Sequence, residues 1–122
     1  ISILMKESIL KDKSYQFAIR IVKLSQWLQT EKKEYVLSKQ LLRSGTSVGA
    51  LIREAEFGQS KADFIHKLSI GLKEANETDY WLNILYDTSY IDEAGFQQMQ
   101  NTCQELIAML IASIKTLKKI KN

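Results

Sequence analysis

Residues 36–57, Val-Leu-Ser-Lys-Gln-Leu-Leu-Arg-Ser-Gly-Thr-Ser-Val-Gly-Ala-Leu-Ile-Arg-Glu-Ala-Glu-Phe, decide the architecture of this chain. Leu37, Leu41, Ser44, Val48, Leu51 and Ala55 recur at steps of four and three, the seam of a helix packed lengthwise against other helices. In mid-stretch stand the small residues Ser44, Gly45, Thr46, Ser47, Gly49 and Ala50. Each glycine costs a helix about 1 kcal/mol relative to alanine, so two of them four apart require a compensation. Without a Cβ, Gly45 and Gly49 let a second helix come close. The competing reading makes Ser-Gly-Thr-Ser-Val-Gly a loop between two short helices. The unbroken phase of Leu41, Val48, Leu51 and Ala55 across it favours the helix.

Working outward, the composition agrees with a bundle. A length of 122 residues suits one domain with one core, residues 1–122, with 1–11 as a partly ordered lead-in and 119–122 as a basic tail. Apolar residues at 45% and charged residues at 25% exclude a disordered or membrane chain. Proline is absent, which favours long uninterrupted helices. No apolar run reaches the ~18 residues of a membrane span, and Ile-Ser-Ile-Leu-Met-Lys at the start is too short and wrongly flanked for a signal peptide. The single cysteine, Cys103, precludes an internal disulfide and fits a reducing compartment, so a cytoplasmic location is expected.

Before residues 36–57, a helix is expected from about Lys13 to Gln29. Phe17, Ala18, Ile21, Val22, Leu24, Ser25 and Leu28 gather on one face, and Lys13, Gln16, Arg20, Lys23 and Trp27 on the opposite flank. Basic residues leading to an aromatic suit phosphate contacts and base stacking; the plainer reading is a solvated face with Trp27 half covered by a neighbour. Thr30–Glu34 is a charged connection of the length that joins antiparallel helices. The second helix, 35–57, carries Lys39, Arg43, Thr46, Ala50 and Arg53 outward, and Gly58 is expected to end it in a left-handed conformation. Ser60, three residues before Asp63, reads as the N-cap of a third helix, 61–86.

The third helix is apolar on two sides. Phe64, Ile65, Leu68, Leu72, Ala75, Leu82 and Leu85 form its inner face, while Ile70, Tyr80, Trp81 and Ile84 lie roughly opposite. In a chain this small, the second face is expected to be covered by another subunit. Thr78 and Asp79 fall in the inner stripe, where at least one must hydrogen-bond across the bundle. Asp92 caps a fourth helix, 93–118, that buries Phe96, Met99, Cys103, Leu106, Ile107, Leu110, Ile114 and Leu117. The expected fold is therefore an all-α, antiparallel up-down four-helix bundle.

Chemistry is sparse. The sole histidine, His66, lies three residues after Asp63, but a di-iron bundle site needs two Glu-x-x-His pairs and further carboxylates. No phosphate-cradling glycine loop or nucleophile elbow occurs. No catalytic residue, cofactor or metal is expected, and the protein is read as a non-enzyme.

The charge is uneven. Residues 1–58 hold 10 Lys/Arg against 6 Asp/Glu, residues 59–112 hold 3 against 8, and the last ten add four lysines. A basic half and an acidic half fit a head-to-tail contact between copies of the chain as readily as a nucleic-acid partner. On the nucleic-acid reading, Arg20, Lys23, Lys39, Arg43 and Arg53, helped by the C-terminal lysines, grip RNA or DNA weakly and without sequence preference. On the alternative reading, the protein is an interaction scaffold whose basic stripes meet protein surfaces. In both, Ile70, Tyr80, Trp81 and Ile84 form the subunit interface.

The segments Leu41–Ala50, Ile52–Ala55, Gln59–Leu68, Lys73–Thr78, Tyr80–Leu82, Tyr90–Asp92 and Ile114–Lys118 together resemble the small bacterial four-helix-bundle proteins of 23S rRNA intervening sequences, also called S23 ribosomal proteins. The resemblance spans roughly residues 14–118. Leu51 departs from it, because the family pattern has asparagine before Ile52, and this implies a drier contact there. The resemblance implies an antiparallel homopentamer without enzymatic activity and an association with nucleic acid. The chain is also similar to the accessory bundle protein of diversity-generating retroelements, a pentamer that works with a reverse transcriptase and RNA.

Overall fold

Connections of five residues join four helices: α1 (Ile3–Glu31), α2 (Leu37–Ala55), α3 (Lys61–Asp87) and α4 (Glu93–Lys119). The computed structural model describes residues 3–120, and side chains from Ser8 onward. The expected lead-in is thus the first turns of α1, which start ten residues before Lys13, and Leu10 is buried in the core. Residues 1 and 2, and Lys121 and Asn122 of the expected basic tail, lie outside the described residues.

Capping chemistry sets the helix ends. Ser60 Oγ accepts the Asp63 backbone N–H at 3.0 Å, and Asp63 Oδ2 accepts that of Gln59 at 3.2 Å. Asp92 Oδ1 accepts the Gly95 N–H at 2.8 Å. α2 has no such residue before it: its N-cap, Val36, makes no side-chain cap bond. The buried Glu34 substitutes, accepting backbone N–H groups from Val36, Leu37 and Ser38 at 3.2, 3.0 and 2.7 Å. Burial of this carboxylate opposes its ionisation, yet the backbone donors outweigh that effect and lower its pKa.

Two connections turn on left-handed residues that are not glycine, Lys33 (φ 55°) and Ser89 (φ 67°). Each lets the following N–H reach back to the helix, Glu34 to the Leu28 carbonyl at 3.0 Å and Tyr90 to that of Leu85 at 2.9 Å. Gly58, expected to be left-handed, is not. The N–H groups of Glu56, Phe57 and Gly58 instead donate to the carbonyls of Arg53, Glu54 and Ala55, tightening the helix end. A Cβ there would sit 3.1 Å from the Ala55 oxygen and 3.3 Å from Asp63 Oδ2, a tight fit that favours glycine.

Each helix packs against its neighbours in chain order, α4 closes back on α1, and diagonal pairs make no close backbone approach. Partner numbers run in opposite senses across every seam. Ser14, Ile21 and Ser25 of α1 meet Gly49, Gly45 and Ser38 of α2. On α3, Gly71 and Thr78 meet Leu51 and Ser44 of α2, and Ala75 and Asp79 meet Cys103 and Gln100 of α4. On α4, Thr102 and Glu105 meet Arg20 and Lys13 of α1. Adjacent helices are antiparallel, the up-down arrangement that connections this short impose.

The core runs the length of the bundle through Phe17, Ile21, Leu28, Leu41, Val48, Leu68, Leu82, Leu85, Leu106 and Leu110, all fully buried. α2 contributes two stripes where one was expected. Ser38, Leu41, Gly45, Val48, Ile52 and Ala55 are buried at steps of three and four. Leu37, Ser44 and Leu51 form the second, seven residues apart, with Ser44 and Leu51 on α3. Ile52, rather than Leu51, therefore occupies the core, and Leu51 is half-buried beside Gly71. Close approach explains both glycines of α2. A Cβ on Gly45 would lie 2.7–2.9 Å from three carbons of Ile21, and one on Gly49 would lie 3.2 Å from the Ser14 backbone oxygen.

The few polar groups inside are paired. Thr78 Oγ1 donates to Ser44 Oγ at 3.0 Å across the α2–α3 seam, and Ser25 Oγ donates to the Ser38 carbonyl at 3.0 Å. Gln100 Nε2 reaches Asp79 Oδ1 at 3.4 Å, so both polar residues of the α3 stripe bond across the bundle. Among the described residues, no buried side-chain nitrogen or oxygen lacks a partner.

Candidate nucleic-acid and subunit interfaces

The five basic residues expected to hold nucleic acid do not form one patch. Arg43 leans from α2 onto α3, where its guanidinium is gripped by Glu77 and by Glu74, the latter at 3.0 Å. Hydrogen bonds that Arg43 donates to Glu77 and Glu74 raise its pKa further, while Glu77 is lowered by the indole N–H of Trp81 and, against its burial, by Arg43. Arg53, ten residues on, leans the other way, with its guanidinium 5.7 Å from the Tyr15 ring on α1. Lys39 is exposed on α2. Arg20 and Lys23 sit on the flank of α1 that faces α4, and Arg20 donates to Thr102 Oγ1 at 2.9 Å. Among the described residues, Arg20, Lys23, Lys39 and Arg53 have no carboxylate partner, whereas Arg43 has two.

Part of the charge asymmetry is therefore neutralised inside the chain. Arg43 with Glu74 and Glu77, and Lys13 with Glu105 at 2.9 Å, join the basic half to the acidic half. The exposed Lys13 pair is worth at most about 1 kcal/mol.

The α1–α4 seam, the sparsest in the bundle, is open near its α1 C-terminal end. A hollow of about 680 Å³ is lined by Leu24, Trp27 and Lys32 on one side and by Tyr86, Tyr90, Ile91, Asp92 and Glu93 on the other. A second of about 250 Å³ continues it past Leu24, Ile91 and Gly95 to Arg20, Lys23 and Gln98. Trp27 remains 41% exposed, with Lys32 Nζ 5.4 Å from its ring centroid. Tyr86 is held from behind by stacking on Phe96, 4.4 Å between centroids. Sequence reasoning found Arg20, Lys23 and Trp27 but not Lys32, Tyr86, Tyr90 or Glu93. Those four sit at or beside connections, where helical periodicity carries no signal.

A separate hollow of about 390 Å³ lies between α1 and α2. The small side chains of Ala18, Thr46, Gly49 and Ala50 form its floor, and Tyr15, Arg53 and Phe57 its walls. On α3, the expected interface residues differ among themselves. Tyr80 is 57% exposed and meets Trp81 edge to face at 5.1 Å. Trp81 packs on the core and donates its N–H to Glu77 Oε2 at 3.0 Å, so much of it is used within the chain. Ile70 and Ile84 are half-buried.

His66 is exposed, and among the described residues no three His, Cys, Asp or Glu side chains are grouped to hold a metal. Cys103 is buried, with its Sγ 3.3 Å from the Ala75 carbonyl oxygen. Burial, with a smaller contribution from the Asp79 charge, pushes its pKa up to about 12, so the thiol carries no reactive thiolate at neutral pH. No helix among the described residues is long and apolar enough to cross a membrane.

Comparison with known proteins places this architecture. Among curated proteins there is no match. A crystal structure from Bacteroides thetaiotaomicron, described as a protein with unknown function from the S23 ribosomal protein family, superposes with a TM-score of 0.89 at 55% identity, covering 90% of this chain and 98% of its own. The sequence model of the 23S rRNA-intervening sequence proteins matches residues 6–112, which takes in all but the first three residues of α1 and the last turns of α4. This chain, with its four antiparallel helices, belongs to the 23S rRNA-intervening sequence protein family.

Proposed function

We propose that the protein is a non-enzymatic bundle that assembles with copies of itself and associates weakly, without sequence preference, with nucleic acid. The observation that supports this reading most is the state of the cations. Arg20, Lys23, Lys39 and Arg53 remain without carboxylate partners among the described residues, on a chain of net charge +3. Arg43, held by two glutamates, leaves the expected set. Non-specific phosphate binding of this kind lies at roughly 10⁻⁴ to 10⁻⁶ M at physiological salt and weakens steeply as salt rises. Self-assembly draws on Tyr80 with the half-buried Ile70 and Ile84, an apolar face that one chain leaves open. Five subunits is the number that the family resemblance implies. The test titrates labelled RNA at two salt concentrations against wild type and a Lys23/Lys39/Arg53→Glu variant, once sedimentation shows that both assemble alike. Salt-sensitive binding that the variant loses is the expected outcome.

A protein-interaction scaffold is the second reading, favoured by the exposure of Phe57 (79%) and Val36 (71%) at opposite ends of α2. Salt-insensitive binding, or equal affinity of the two proteins for RNA, would select it.

A further inference from the structure

The open part of the α1–α4 seam has two unlike walls. Arg20 and Lys23 place two cations on α1, and Lys32 adds a third just beyond its last residue, Glu31. Across from them, Asp92 and Glu93 place two carboxylates at the start of α4. The first wall also carries Trp27, with 41% of its surface open and Lys32 Nζ 5.4 Å from its ring centroid, and the second carries Tyr90. Lys23 and Lys32 have no ion-pair partner among the described residues. One oxygen of Asp92 is used to cap α4, and Glu93 is exposed.

From this arrangement we infer that the groove takes a single strand of nucleic acid, with its phosphates along α1, a base over Trp27 and the base edge toward Glu93. The inference rests on the nucleic-acid reading above and deepens it. A single strand has an anionic backbone edge and unpaired base edges whose amino and imino groups can donate to a carboxylate, which suits a cationic wall facing a carboxylate wall. A duplex hides the Watson–Crick edges of its bases and presents phosphates on both sides, so one backbone would meet Asp92 and Glu93 and be repelled. An exposed indole supplies a stacking platform that tolerates any base. The carboxylate adds a mild preference, because the exocyclic amino group of cytosine donates to it and the carbonyl that uracil carries there does not.

The experiment uses the assembled protein with three 12-nucleotide RNA probes: oligo(C), oligo(U) and a duplex. A Trp81→Phe background leaves Trp27 as the reporter indole. Oligo(C) is expected to quench Trp27 fluorescence and to bind more tightly than the duplex. Trp27→Ala should weaken oligo(C) about tenfold, within the range for losing one stacked base, and Trp27→Phe should restore most of the loss. Glu93→Gln should narrow the preference for oligo(C) over oligo(U) and relax the exclusion of duplex. These last comparisons need no change at Trp27, so they hold even if its replacement disturbs folding. Equal binding of strand and duplex, or unchanged affinity in Trp27→Ala, while the Lys23/Lys39/Arg53→Glu variant still loses binding, would overturn the groove and leave the general reading standing. Absence of RNA binding at low salt overturns both. Quenching of Trp27 by an acidic peptide and by no RNA would give the groove to a protein partner and refute the proposal.

Discussion

α1 makes two seams, and they are built on opposite principles. Toward α2 it meets glycines: Ile21 fills the place of a Cβ on Gly45, and the backbone of Ser14 comes within 3.2 Å of where one would stand on Gly49. Toward α4 it meets the ends of long side chains, Lys13 with Glu105 and Arg20 with Thr102, and the space behind them opens into the groove. Removing side chains brings the backbones together along the seam, and the hollow on that side is the smaller one, over Ala18, Gly49 and Ala50. Spanning the gap with flexible polar side chains holds the helices apart at small energetic cost. One helix thus has a rigid side that sets the bundle's geometry and a more permissive side along which the larger hollow opens.

The largest expected effect breaks the tight seam. Gly45→Leu forces a side chain onto the fully buried Ile21 and should cost about 3 kcal/mol by overpacking, read from chemical denaturation. A double variant with Ile21→Ala should recover a substantial part, because the three atoms nearest to a Cβ there all belong to that side chain; additive losses would refute close approach as the reason for the glycine.

An intermediate effect is expected at Glu34, which closes the turn between the tightly packed pair. Its folded pKa lies below the ordinary 4.5, so its contribution is present at neutral pH and disappears as pH falls through the lowered folded value. Glu34→Gln should lower stability at pH 7 by about 1–2 kcal/mol, the usual worth of a helix N-cap. Wild type and variant should converge in acid, so a constant difference from pH 7 to pH 2 would show that the charge is not what caps α2.

The smallest effect belongs to the open seam. Lys13→Ala removes a pair between two exposed side chains and should change stability by no more than about 0.5 kcal/mol. A loss as large as that at Gly45 would mean that the two seams are equally rigid, which would undo the contrast between them.

Much of this was legible beforehand. The recurrence of Leu41, Val48 and Ala55 through Gly45 and Gly49 identified both a continuous helix and its close neighbour, because two glycines in phase with a seam weaken a helix unless tight packing offsets their cost. Ser60 and Asp92 announced two helix starts, since their side chains act on residues two or three positions away. The start of α2 was not legible, because its cap is supplied by a glutamate lying outside the usual capping set, before two apolar residues. The same limit applied to Gly58, which sits close to Ala55 and Asp63 and does not use the left-handed freedom of its backbone.

For the candidate site, sequence placed basic residues on the outer faces of α1 and α2 and linked Arg20 and Lys23 to Trp27. Periodicity reports the angle at which a side chain leaves its own helix and nothing about what stands opposite. Hence Arg43, Arg53 and Lys39 looked like members of one stripe. The neighbouring helices divided them, one to Glu74 and Glu77, one to Tyr15, and one to solvent. The sequence by itself determined four helices, their order and most of their buried faces, Leu10 and Ile52 excepted, because those follow from local repeats and short connections. The tertiary structure alone decided which cations stay free and where a groove opens, because both depend on side chains brought together from helices distant in the chain.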